Sequence, residues 1–568
     1  MHIDIVPNRK AAPTILLRES YREGKQVKKR TLANLSSLPM AQIEAIRAVL
    51  RGEALRPVAQ SFEITESRPE GHVQAVTLMM KRLGLSSLIA SRPCRERDLV
   101  MAMVAARILA PHTKLATTRW WHTTTLAEDF GVTQASENDC YAAMDWLLTR
   151  QDRIQKKLAT RHLKEGGLVL YDLSSSHFEG STCPLAKHGY SRDGKRGTLQ
   201  VEYGLMTDDR GCPVAISVHE GNTADPTTLM PEIERVKQDF GIASFVMVGD
   251  RGMISQKAIL SIRAHGGIDW ITALKSVNIR ALIADTTLQP DLFDERNLLE
   301  LTHPDYPGER LVACRNPELM RLRGHKREAL LQATEESLQK IEIRVAAGRL
   351  TGRDNIGVQV GRVVDRYKMA KHFERDIQDT TFSFTRKTAD IAAEAALDGI
   401  YIIRTSVPVV RMEASECVRR YKSLAQVERA FRSLKTMDLK IRPIHHRLAD
   451  RVRAHIFLCL LSYYIEWHLR AAWRELLFAD EDQEAQETRD PVALAQRSAK
   501  ALRKVARKTR DDGTPVHSFQ TLLADLATVT RNTCRLPHTE GEESTFPVLT
   551  IPNATQKRAY ELIETFPM

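Results

Sequence analysis

The chain is 568 residues long, 43% hydrophobic and 27% charged, with a net charge of +12 and a pI of about 9.3. That length exceeds one ordinary domain, so three or four are expected, each with apolar residues enough for a core. The charged fraction argues against a membrane protein, the longest apolar run (Ile456–Ile465) is too short to span a bilayer, and the basic balance suits a polyanionic partner.

Residues 1–65 are predicted to form a small basic β-rich unit, in which Thr14–Tyr21 and Gln26–Leu32 flank a glycine-containing turn in the pattern of a hairpin. Residues 66–165 switch to a helical period at Val76–Leu83 and Leu99–Leu109, with Ser136–Asp139 opening a further helix. A helical domain beside a basic arm fits a DNA reader and equally fits a packing module; periodicity does not choose. From 166 to 279 the pattern is of strands: Leu168–Tyr171, then alternation over 199–205 and 214–218, these two joined as a hairpin through the turn-rich Thr207–Pro213. Asp225 is expected to cap a helix that Pro226 opens and that runs to about Phe240. The apolar run Phe245–Gly249, a helix over 255–264 and a strand over 270–274 follow.

The order β-β-β-α-β-α-β is that of an RNase H-like fold. Residues 280–398 interrupt it with a helix over 323–343 and strand-like stretches at 358–364 and 381–385. The core resumes over 399–475 with a strand at 399–405 and one helix across 421–435, and residues 476–568 are expected to be a helical basic region for DNA binding or dimerisation. The expected class is α/β: an RNase H-like mixed sheet flanked by helices, interrupted by a β-containing insertion, behind an N-terminal hairpin and helical DNA-binding region. Eight cysteines (94, 140, 183, 212, 314, 417, 459, 534) contain no CxxC pair, which reads as reduced thiols without a zinc site or disulfide framework.

Three acids stand out against this frame. Asp172 ends the run Leu168–Tyr171, Asp250 ends Phe245–Gly249, and Glu428 lies in the 421–435 helix. An unpaired carboxylate is a poor core residue but a good ligand for a hard divalent cation. If the first and fourth strands pair in parallel, about 4.8 Å apart, Asp172 and Asp250 can share a metal. Glu428 then completes a second ion's shell in a two-metal phosphoryl-transfer site. Arg432 at i+4, Lys435 at i+7 and Tyr421 at i−7 lie near the Glu428 face, while Val427, Phe431 and Leu434 form an apolar stripe for docking on the sheet. The positive charge is clustered too. Residues 1–60 carry eleven Lys/Arg against five acids, 411–453 carry twelve against five, and 497–510 carry seven against none. Together these runs favour an extended DNA-binding surface.

The segments Tyr171–Gly180, Val248–Met253, Glu220–Asp225, Asp398–Thr405 and Tyr421…Glu428…Lys435 resemble an insertion-sequence DDE transposase with a YREK-type signature. The tail Arg442–His446, with Arg451 and His455, resembles the sequence after the glutamate in that family. The resemblance implies Asp172, Asp250 and Glu428 as catalytic ligands of two Mg²⁺ ions, with Mn²⁺ as a substitute, and a β-rich insertion before the glutamate. It implies Tyr421 and Lys435 as contacts to the transposon end, with Arg442 beside them. Leu424 stands where the signature has arginine, a role expected to pass to Arg420 or Arg432. The implied activity is cut-and-paste transposition on double-stranded DNA, both inverted-repeat ends and target. A homodimer is expected in the synaptic complex, with no membrane involvement. The opening residues lack the apolar stretch of a secretory signal, so the expected location is cytoplasmic, on the bacterial nucleoid when DNA-bound. Two other readings stay open: an RNase H-like nuclease that cuts without joining, and a non-catalytic DNA-binding descendant.

Overall fold

The computed structural model describes residues 1–9, 12–53, 62–195, 197–284, 288, 293–482, 489–535 and 545–567. The end of the predicted first unit (54–61), part of the insertion (285–287 and 289–292) and parts of the C-terminal region lie outside the described residues. The chain divides into two compact units, Met1–Arg68 with Val529–Ile551, and Pro69–Thr528 with Pro552–Met568.

In the smaller unit, β1 (His2–Val6), β2 (Thr14–Glu23) and β3 (Gln26–Asn34) form an antiparallel sheet. The β2–β3 turn is closed by Gly24 at φ 61°, a left-handed geometry that glycine adopts without a Cβ clash. Ile15, Leu35 and Ile43, the last from the helix Met40–Leu50, make its small core. Lys25, Lys28, Lys29 and Arg30 stay exposed along the hairpin. A second sheet joins β4 (Glu63–Pro69) to the strands Thr530–Arg535 and Thr545–Leu549.

The larger unit is built on an eight-stranded mixed sheet. Its chain-ordered strands are β5 (Leu168–His177), β6 (Gln200–Thr207), β7 (Pro213–Glu220), β8 (Phe245–Val248), β9 (Ile268–Ala273), β10 (Leu298–Leu301), β11 (Arg310–Arg315) and β14 (Ile400–Thr405). Across the sheet they run β10-β11-β14-β9-β8-β5-β6-β7. The stretch β7-β6-β5-β8-β9 is the expected RNase H-like order, with β5–β6–β7 antiparallel and β5–β8–β9 parallel. Strands β10, β11 and β14 extend that core antiparallel. A buried ion pair secures the extension, Arg404 Nε and NH2 donating to Glu309 Oε2 and Oε1 at 2.6 and 2.7 Å.

The insertion differs from its sequence reading. Residues 358–364 are not a strand; they lie in the helix Arg353–Tyr367, whose buried Ile356, Val360 and Val364 recur every four residues. That spacing is a helical stripe, which the neighbouring valines disguised as alternation. The helix packs with the long helix Pro317–Ala346 and the hairpin β12 (Phe373–Ile377)–β13 (Phe382–Arg386) around Leu331, Leu338 and Phe373.

The apolar run Ile456–Ile465 is the middle of the helix Ala449–Ala472, buried on nearly every side. It packs on β7 and on the helices Gly71–Arg82, Arg95–Leu109 and Glu137–Leu148, so the helices of residues 69–165 share one hydrophobic core with the sheet. Among the described residues, no single helix is long and apolar enough to cross a membrane.

Candidate active site

Asp172 sits inside β5 rather than at its end, half-buried and opposite Leu205 of β6. Its Oδ1 accepts from the Leu173 amide at 2.8 Å. Strand β8 pairs with β5 in the register Leu168↔Val246, Val169↔Met247, Leu170↔Val248. The paired register ends at Leu170 and Val248, so Asp172 and Asp250 each follow it by two residues. Asp250 leaves the sheet just after Gly249 and folds its own turn, with Oδ1 accepting from the amides of Gly252 (2.9 Å) and Met253 (2.8 Å). Both backbone bonds thus fall on one carboxylate oxygen.

Glu428 reaches the same region from the helix Leu424–Arg432. Val427, Ala430 and Phe431 bury that helix against β5 and β6, Phe431 meeting Tyr203 edge-on at 5.8 Å, and Glu428 stays exposed. The 421–435 segment is not one helix. Ala414–Lys422 ends before Ser423, Leu424–Arg432 follows, and Ser433–Met437 is a π-turn. Tyr421 and Glu428 therefore stand on consecutive helices, and the wider last turn carries Lys435 inward.

Their charges act on one another. Burial pushes the Asp172 carboxyl up to about 7; Asp250 and Glu428 add to the rise, and the Leu173 amide and Arg192 oppose it. Burial likewise raises the Tyr421 hydroxyl to about 12, with Asp250, Asp172 and Glu428 all adding and Arg251 opposing. The three acids do not all come within 4.8 Å of one another; among the described residues the His/Cys/Asp/Glu set that does is His162, Cys212 and His468.

The cations predicted to meet DNA have varied settings. Arg432 is exposed. Arg420 is held by Glu416 (2.5 Å) and Asp209 (3.4 Å), the latter in the β6–β7 turn. Lys435 Nζ donates to Asp193 Oδ1 at 3.0 Å, and Arg442 pairs with the same oxygen. Asp225 is the first residue of its helix rather than the cap, because its carboxylate is taken by Arg192 at 2.5 Å.

Arg192, Asp193 and Glu202 were missed by sequence reasoning. Glu202 is buried in β6, every residue of which is buried, and burial raises its carboxyl to about 7 against the pull of Arg192, 3.2 Å away. A charged residue in an otherwise alternating buried strand was the available signal. The Arg192–Asp193 loop has none, since only the fold brings it to Lys435.

Gly211, in the β6–β7 turn at φ 82°, abuts the Glu428 helix. A Cβ there would lie 2.6 Å from Gln426 Cβ. Gly211→Ala is expected to lower stability by about 1–3 kcal/mol through backbone strain and contact. It should also reduce DNA cleavage by displacing the helix; urea melts alongside a nicking assay check both.

Residues 169–465, more than half of the chain, match the transposase DDE domain family, and residues 3–61 match the N-terminal domain of the IS1634 family transposases. No curated protein matches the chain. Among solved structures, it resembles a piggyBac transposase synaptic complex with hairpin DNA, determined by cryo-EM, at 9% identity over 80% of this chain and 79% of that one, with a TM-score of 0.35. The chain belongs to the DDE-domain transposases of insertion sequences.

Proposed function

We propose that the chain moves its own element by cut-and-paste transposition, with Asp172, Asp250 and Glu428 as the catalytic acids. The observation that supports this reading is the β5–β8 pairing, whose register ends at Leu170 and Val248, two residues short of each aspartate, with the Glu428 helix packed on β5. The donor set is all carboxylate oxygen, the chemistry that hard Mg²⁺ or Mn²⁺ takes. Asp172, Asp250 and Glu428 would hold two such ions, which supply activation of the attacking oxygen and stabilisation of the leaving one.

Water attacks phosphorus at the element's end, the P–O3′ bond breaks, and a 3′-hydroxyl and a 5′-phosphate result. That 3′-hydroxyl then attacks a target phosphodiester and releases a target 3′-hydroxyl. Tyr421, held protonated by its surroundings, donates from Oη to a phosphate oxygen of the bound end. Arg432 and, once released from Asp193, Lys435 and Arg442 neutralise backbone phosphates; Arg420 lies beside them. The basic hairpin, the helical region to residue 165 and the C-terminal region bind inverted-repeat and target DNA, and two copies hold the two ends together. In the 497–510 run, Arg497, Arg503, Arg507 and Lys508 are exposed, which supports that role.

The test is a linear duplex carrying both ends of the element, incubated with the chain and Mg²⁺. Nicks leaving 3′-hydroxyl ends, followed by joined products, are expected. Glu428→Gln should lose both steps while still retarding the duplex in a gel. Cleavage without any joined product would replace this reading with that of a nuclease.

A further inference from the structure

Three residues from distant parts of the chain meet at a second place. His162 ends the helix Gln151–His162, Cys212 opens the run into β7, and His468 lies near the end of the helix Ala449–Ala472. One ligand atom from each falls within 4.8 Å of the other two. Cys212 Sγ is 4.0 Å from His162 Nε2, and the two imidazoles stand 5.9 Å apart, tilted at 52°. We propose that His162, Cys212 and His468 form a three-ligand metal site that takes Zn²⁺.

The donor set is one that a borderline d¹⁰ cation prefers, imidazole nitrogen with thiolate sulfur, and three protein ligands leave one tetrahedral corner open. The supporting shell is in place. His468 Nδ1 meets the Tyr464 carbonyl at 2.8 Å, which fixes the ring and leaves Nε2 toward the cluster. The Tyr464 hydroxyl borders the trio 3.0 Å from His162 Nε2, and Asp208 Oδ1 accepts from the Cys212 amide at 2.8 Å, holding the turn that carries the thiol. On binding, the Cys212 S–H proton passes to solvent and a Zn–S bond forms. The metal joins two helices to the β6–β7 turn, one residue from the glycine against which the Glu428 helix rests.

The experiment uses the full chain after chelation, titrated with Co²⁺ as a spectroscopic probe and then with Zn²⁺. A thiolate-to-cobalt charge-transfer band with intense visible bands of tetrahedral cobalt is expected, and Zn²⁺ should displace both. Cys212→Ser should abolish the charge-transfer band and weaken Zn²⁺ binding by roughly 100-fold or more. If that variant does not fold, His162→Gln, at a half-buried helix end, should weaken binding comparably. No charge-transfer band in the wild type, or a band unchanged in the folded variants, overturns the proposal.

Discussion

Replacing Asp172 by asparagine is expected to lower strand cleavage by roughly three orders of magnitude, the several kcal/mol that a lost metal ligand removes from transition-state stabilisation. DNA-end binding should persist, because the side chain keeps its size and a carbonyl oxygen for the Leu173 amide. A second readout comes from protonation. The folded chain holds the Asp172 proton up to pH of about 7, whereas an unfolded aspartate releases it near pH ~3.9. Folding therefore favours the protonated form, and this contribution to stability is full below the unfolded value and lost as pH rises through about 7. The variant lacks that loss. Its stability, measured without added divalent cation, should gain on the wild type between pH ~4 and ~7. Glu202 at about 7 and Glu466 at about 8 act with the same sign in both proteins. Buried His72 and His468, both at about 4, act oppositely: their contribution is present above their ordinary value and lost as pH falls. The difference between the two proteins is thus the measurement. Parallel stability curves, or cleavage retained in the variant, would remove Asp172 from the centre.

How far the sequence revealed this site depended on how local each signal was. Runs such as Leu168–Tyr171 and Phe245–Val248 are buried strands with an acid just past the apolar stretch, and that pattern survives without tertiary information. The parallel β5–β8 pairing followed from strand order. The 421–435 segment was harder. Its periodicity suggested one helix, but the π-turn at 433–437 depends on a contact made elsewhere, Ser433 donating to buried Glu466 at 2.8 Å. The Val358–Val364 stretch misled because clustered valines satisfy a two-residue and a four-residue period at once. The trio at 162, 212 and 468 has no spacing to detect, since each ligand comes from a different element.

Asp193 shows most sharply what only the fold discloses. Its side chain is fully enclosed, accepts from the His177 amide at 3.1 Å and from Lys435, and pairs with Arg442. Burial pushes its carboxyl up, but Arg442 and Lys435 prevail and hold it below the usual range. If Lys435 and Arg442 bind backbone phosphate as proposed, Asp193 competes with DNA for both cations. Asp193→Asn should therefore have opposed effects on folding and on binding. Stability should fall by about 3 kcal/mol, the low end for breaking a buried pair, because Arg442 is 22% exposed and can turn to solvent. DNA affinity should rise, and its dependence on log salt should steepen by roughly 1–2, as one or two released cations each displace a counterion from phosphate. Lys435→Met added to Asp193→Asn should return most of that slope. Binding isotherms over a salt series, with urea melts of the same proteins, separate the two effects. Weaker binding with a shallower slope would mean that Asp193 aligns these cations for DNA instead of withholding them.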